Sequence, residues 1–130
     1  MTEGFSVVCA SGTFRTGRDR ATHFTHRWTD GGVDVVAAFT GAHLLHAAVA
    51  ACVLNDLYRE AASLGVQLEG VRVEAEGGFD ATWVSTGVVY RVELDSAADR
   101  ASQQALLDSV DRLAEIPRAL RKGTTVVRVT

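Results

Sequence analysis

Between Gly41 and Leu64 lies the stretch that most restricts what this chain can become. It begins Gly41-Ala-His-Leu-Leu-His-Ala-Ala-Val-Ala-Ala-Cys52-Val-Leu-Asn-Asp-Leu-Tyr58, and apolar residues recur at helical spacing through Leu44, Leu45, Ala48, Cys52, Leu57, Ala61 and Leu64. Thr40 can cap its start and Gly65 can end it in the left-handed conformation. Up to Asn55 nearly every face is apolar, which predicts a helix buried all round. Beyond Asn55 it turns amphipathic, with Asp56, Arg59 and Glu60. Such a helix has to be the centre of a core.

The flanking segments supply strands. Phe5–Phe14, Ala21–Trp28 and Val33–Phe39 carry β-branched and aromatic residues between turn signals such as Thr29-Asp30-Gly31-Gly32. After the helix, Val71–Glu76 and Val88–Leu94 alternate as half-exposed strands, with Gly77-Gly78 and the residues to Gly87 read as a loop. Ser96 can cap a helix from about Ala97 to Glu115. Pro117 breaks that helix and can start a short one over Arg118–Arg121, and Thr125–Thr130 is a last strand. The expected class is α+β, in the order β3-α-β2-α-α-β, as a single domain over residues 1–130.

Composition narrows the function classes. The 130 residues are 47% apolar and 22% charged with a net charge of −3, the balance of an ordinary globular protein. Basic residues are scattered and Lys122 is the lone lysine, so no nucleic-acid surface is expected. No apolar run is long enough for a membrane span. The first residues lack a basic segment followed by an apolar one, so a cytoplasmic location is expected. Cys9 and Cys52 show no CxxC or zinc spacing, and both are expected to be thiols.

Few residues here can do chemistry. Cys52, walled in by alanine and leucine, is either core filler or a nucleophile sheltered from bulk water. A reactive thiol needs a nearby positive charge, because burial alone raises its pKa. Its helical neighbours are Ala48, Val49, Asn55 and Asp56; none is cationic, and Asp56 opposes ionisation, so the cation is expected from outside the helix. Cys9 is either strand core or a second thiol, the latter requiring a Cα separation from Cys52 below roughly 7 Å. His46 and His43 lie about 120° and 180° around the helix from Cys52. They either make polar contacts at the helix start or line a pocket mouth. His23 and His26 point to opposite faces of their strand, a poor metal pair, and no metal or cofactor site is expected. Arg118, Arg121 and Lys122 read as solvated charge or an anion contact.

Three segments carry a resemblance. Leu44-Leu45-x-Ala47-Ala48-x-Ala50-Ala51-Cys52, the following Ala61 to Gly77 segment, and Ile116-Pro117-Arg118-Ala119-Leu120 are together similar to the OsmC/Ohr family of hydroperoxide-reducing proteins. Thr16-Gly17-Arg18-Asp19 is similar to a short turn of the Ohr branch. The resemblance implies an intertwined, domain-swapped homodimer around a long buried central helix, with sites at the subunit interface. It also implies a cycle in which the helix cysteine attacks a peroxide, becomes a sulfenic acid and is resolved by a second cysteine. By this resemblance Cys52 is the nucleophile and Arg18 its activator, with Arg20 and Arg118 as further candidates; His43, His46, Asp56, Ile116 and Arg118 would surround the pocket. The chain departs from the pattern at Ile116, where the second cysteine would stand, and at Ala42, where the activating glutamate would. The expected partners are therefore a second copy of the chain, an organic hydroperoxide and an external thiol reductant for a one-cysteine cycle. The alternative is a redox-inactive protein binding a small hydrophobic or acyl ligand in the interface pocket.

Overall fold

A computed structural model describes residues 4–17 and 20–130. It shows an α+β fold of six strands and three helices: β1 (Val7–Gly12), β2 (Thr22–Phe24), β3 (Val33–Val36), α1 (Gly41–Leu64), β4 (Gly70–Phe79), β5 (Ser85–Asp95), α2 (Arg100–Leu113), α3 (Glu115–Leu120) and β6 (Val126–Arg128). The strands form one sheet in the order β2-β3-β1-β4-β5-β6, antiparallel except for the parallel β5–β6 pair.

Side chains directly opposite across a ladder share a face. Cys9 lies between Val35 and Val73, Val7 opposite Ala75, and Ser11 opposite Val71. These residues, with Val88 and Tyr90 of β5, form the sheet's buried face. Val49, Ala50, Val53, Leu54, Leu57 and Ala61 of α1 are buried in the same core. The opposite face is polar and laced by cross-strand pairs, Arg72–Glu93 at 3.1 Å and Arg91–Glu74 at 3.5 Å.

Both ends of α1 follow the sequence. The Thr40 hydroxyl accepts the His43 amide at 3.1 Å, and Gly65 ends the helix at φ 70°, its N–H bonding the Ala61 carbonyl. The expectation of burial on all sides fails on one stripe: Leu44 is 45% exposed, Ala51 is exposed and Cys52 is half-buried. The sheet covers one side of the helix and α2 and α3 another, leaving that stripe open.

Several boundaries shift for tertiary reasons. The first three strands are shorter than their patterns suggest, and Phe39, expected in β3, is 91% exposed. β4 runs through Gly77 and Gly78, expected as a loop, because both pair with β5. Gly77 also makes room for a side chain from α1: a Cβ there would stand 2.8 Å from His46 Nε2 and 2.5 Å from the Gly87 carbonyl oxygen. The second helix starts at Arg100, not Ala97. Asp99 caps it by accepting the Ser102 amide at 2.7 Å, while the Ser96 hydroxyl donates to the Gln67 carbonyl at 2.6 Å.

That helix also stops at Leu113, two residues before the expected end. Pro117 has no N–H to continue the ladder, so the backbone turns extended at Ala114 (ψ 128°) and restarts as α3 with Pro117 in its first turn. Arg121 anchors the far end of α3. Its guanidinium bonds the Asp111 carboxylate at 3.0 Å and donates to the Asp111 and Val126 carbonyls at 2.9 and 3.0 Å. Arg121 is thus a brace between α2, α3 and β6, not a free surface charge.

Gly77→Ala should destabilise the fold by roughly 1–3 kcal/mol, since neither the Gly87 backbone nor the stacked His46 ring can yield freely. Gly123→Ala, where an added Cβ meets nothing within 4 Å, should stay within about 0.5 kcal/mol of the parent. Urea denaturation of the two variants checks both values.

Candidate functional site

The open stripe of α1 is the floor of a cavity of about 520 Å³, lined by Phe24, Val35, Leu44, Ala48, Ala51, Cys52 and Ile116 among others. Its walls are mostly apolar. His26 and Asn55 supply a polar edge, joined by a 3.3 Å hydrogen bond. His26 reaches this position because β2 ends at Phe24, and its other ring nitrogen bonds the Thr29 hydroxyl at 2.9 Å.

Cys52 opens onto this cavity and is surrounded by polar groups on its other side. Its Sγ lies 3.9 Å from Asp56 Oδ2 and 3.6 Å from Glu115 Oε1, and it accepts the Ile116 amide N–H at 3.5 Å. Asp56 is one helical turn along α1, and Glu115 and Ile116 are brought over the sulfur by the break at Ala114. The Ile116 N–H is free to donate because the first amides of a helix have no partner within it.

Arg59 binds both acids. Its guanidinium is 3.2 Å from Asp56 Oδ2 and 3.3 Å from Glu115 Oε2, with a further contact to Glu60 at 3.4 Å. Asp56 is only 1% exposed, and burial, with the hydrogen bond to Glu115, pushes its pKa up to about 6. Glu115 moves the other way, held below the ordinary carboxylate range first by its own amide and then by the bond from Asp56. Below pH about 6 Asp56 is therefore the protonated member of the pair, and Glu115 the ionised one. The Cys52 thiol is pushed up, chiefly by burial and also by the two acids, while the Ile116 amide pulls it down.

The expected site is gathered only in part. Cys52, Asp56 and Ile116 come together. His43 and His46 do not line the cavity. His43 bonds the Thr40 hydroxyl at 2.6 Å, and fully buried His46 bonds the Phe5 carbonyl at 3.0 Å and stacks on Phe79, on another side of α1. The helical step from Cys52 had separated them, and the aromatic residues Phe5 and Phe79 take up that side. Arg118 borders a separate surface hollow with Glu115, Ala119 and Lys122. Arg18 lies outside the described residues. Cys9 is fully buried in the centre of the sheet, its pKa raised by burial to about 12, so it is a core thiol.

Sequence reasoning missed Glu115 and Arg59, and expected the cation from outside the helix. Both had a signal. Arg59 is seven residues after Cys52 and three after Asp56, on one helical stripe; Glu115 immediately precedes Ile116. Cys52, Asp56 and Glu115 each place a possible metal-ligating atom within 4.8 Å of the others. Arg59 supplies a positive charge to both carboxyls.

The fold and this cysteine helix define the class. The family described as OsmC-like protein matches residues 31–129, and the chain belongs to that family. An OsmC-like protein from Mycoplasma pneumoniae has a similar structure, with a TM-score of 0.63 and 10% identity over 88% of this chain and 96% of that one. An organic hydroperoxide resistance protein OsmC from Legionella pneumophila superposes with a TM-score of 0.58 at 22% identity, covering 85% of this chain and 94% of that one. An OsmC-like protein of unknown function from Vibrio cholerae covers 99% of each chain at 16% identity and a TM-score of 0.56. No curated protein matches the chain in sequence. Among the described residues no helix is long and apolar enough to cross a membrane.

Alkylation by iodoacetamide reads the thiolate directly. At pH 8 Cys52 should react more slowly than a free thiol, because its pKa is raised. Glu115→Gln removes one acid from beside the sulfur and should speed that alkylation; mass spectrometry of the labelled peptide measures both rates.

Proposed function

We propose that this protein reduces organic hydroperoxides with Cys52 as the nucleophile, as a homodimer in the cytoplasm. The observation that carries the reading is the position of Cys52 Sγ, between an apolar cavity able to hold the organic part of a hydroperoxide and a cluster of proton-exchanging groups. The sulfur attacks the terminal peroxide oxygen, giving a sulfenic acid and an alcohol. With Ile116 at the second-cysteine position and Cys9 buried in the sheet, resolution falls to an external thiol. That thiol condenses with the sulfenic acid, releasing water and leaving a mixed disulfide, and a second thiol then regenerates Cys52. The role of Arg18 as a contact for the thiolate belongs to this proposal and is tested by Arg18→Ala.

The dimer is proposed from the open stripe of α1. Phe24 (53% exposed) and Leu44 (45%) both line the cavity, and an exposed apolar surface of this kind marks a contact site. A second copy would cover this face and close the cavity.

A second reading is favoured by one observation: the thiol pKa is raised, not lowered. In that reading the cavity binds a small hydrophobic or acyl ligand without chemistry. One equivalent of cumene hydroperoxide distinguishes the two. The reductase should form sulfenic acid at Cys52 at least tenfold faster than a free cysteine of ordinary pKa does, and Cys52→Ser should abolish it. A rate no faster than the free thiol would sink the reductase in favour of the binder. Light scattering should give twice the mass of the 13.9 kDa chain.

A further inference from the structure

A carboxyl pair beside a thiol ordinarily suppresses it, since each negative charge disfavours the thiolate. Here the pair is built too specifically for that to be its whole effect. Asp56 is buried, the two acids reach the sulfur at 3.9 and 3.6 Å, an oxygen of each lies within 4.8 Å of the other's, and one guanidinium holds both. Hydroperoxide reduction requires two proton movements: one leaves the thiol and one reaches the departing alkoxide. A pair holding a single proton, in contact with the reacting sulfur, can accept the first and deliver the second.

Resting on the hydroperoxide-reductase reading, we propose that Glu115 and Asp56 are the catalytic base and acid of this site, with Arg59 as their positioning residue. As the S–O bond forms and the O–O bond breaks, the thiol proton passes to the Glu115 carboxylate. The Asp56 carboxyl gives its proton to the alkoxide oxygen, releasing the alcohol. Sulfur loses two electrons in becoming the sulfenic acid, and the peroxide oxygens gain them. The pair begins and ends with one proton, moved from Asp56 to Glu115. The thiol thus needs no preformed thiolate, which reconciles its raised pKa with reactivity.

The titratable and charged groups around the pair are Cys52, Arg59 and Glu60 on α1, with Arg118 of α3 and Lys122 bordering the hollow that Glu115 lines, while His26 approaches only as far as Asn55. The working one-proton state is lost as pH rises through the Asp56 value of about 6. The hydroperoxide rate should therefore decline above that pH, whereas alkylation by iodoacetamide, which needs only thiolate, climbs roughly tenfold per pH unit.

Stopped-flow oxidation by cumene hydroperoxide and alkylation by iodoacetamide, measured in parallel on the full chain, test the assignment. Glu115→Gln should slow the hydroperoxide reaction roughly a hundredfold while speeding alkylation. Asp56→Asn should also slow it and remove the break near pH 6. Arg59→Gln should move that break upward, because the guanidinium holds the Asp56 value down. If Glu115→Gln leaves the hydroperoxide rate unchanged or raises it, the acids merely damp the thiol and the relay is wrong. A parent protein that reacts no faster than a free thiol sinks the reductase reading itself, before any variant is compared.

Discussion

The central helix presents more apolar surface than one sheet can cover, and the arrangement of everything else follows from that excess. Val49, Val53, Leu54 and Leu57 seal against the valine-rich face of β1, β4 and β5, burying the helix's inner side completely. Burial of aliphatic side chains at this density is worth roughly 1.5–3 kcal/mol each and ties α1 firmly to the sheet. The second layer, α2 and α3, covers part of the remainder. The residual stripe from Leu44 to Cys52 stays open, and the cavity is the gap between that stripe and the strands and loops around it.

Cys52 sits where those two environments meet. Toward the cavity it sees alanine and leucine; toward α3 it sees two carboxyls, an amide and, one step removed, a guanidinium. A thiol placed wholly in either environment would be simple to interpret, inert in the first and suppressed by charge in the second. The Arg59 ion pairs change the second case. They hold the oxygens of both acids beside the sulfur and favour ionisation of each, while burial and the contact with Glu115 push the Asp56 carboxyl up to about 6 and Glu115 stays below the ordinary range. Ile116, one of the two departures from the OsmC/Ohr pattern, lines the cavity and gives the sulfur its backbone amide.

Much of the fold was legible because it depends on local rules. Thr40 and Gly65 mark the ends of α1 by side-chain capping and by tolerance of positive φ, and the order of elements follows from period-two and period-3.6 patterns. The errors cluster where a partner strand or helix overrides local preference. Gly77 and Gly78 look like a loop in isolation, yet β5 recruits them into a strand that His46 can pack against. Ser96 looks like a cap, yet its oxygen accepts the Ala98 amide ahead of the helix and Asp99 takes the cap position. In the site, Asp56 was visible as a neighbour one turn from Cys52. The distance from Cys52 to Glu115 spans much of the chain, and no local rule connects them.

Residue order alone shows that α1 exists, where it begins and ends, that Cys52 lies on it among small apolar residues, and which family's pattern it resembles. Helical periodicity and capping are properties of consecutive residues, so they survive without knowledge of the fold. The company Cys52 keeps comes from packing alone. The interruption at Ala114 before Pro117, and the Arg121 brace that fixes α3, carry Glu115 and the Ile116 amide onto a sulfur more than sixty residues earlier in the chain. Electrostatic environment depends on distance through space, and that distance is set by packing, not by spacing along the chain.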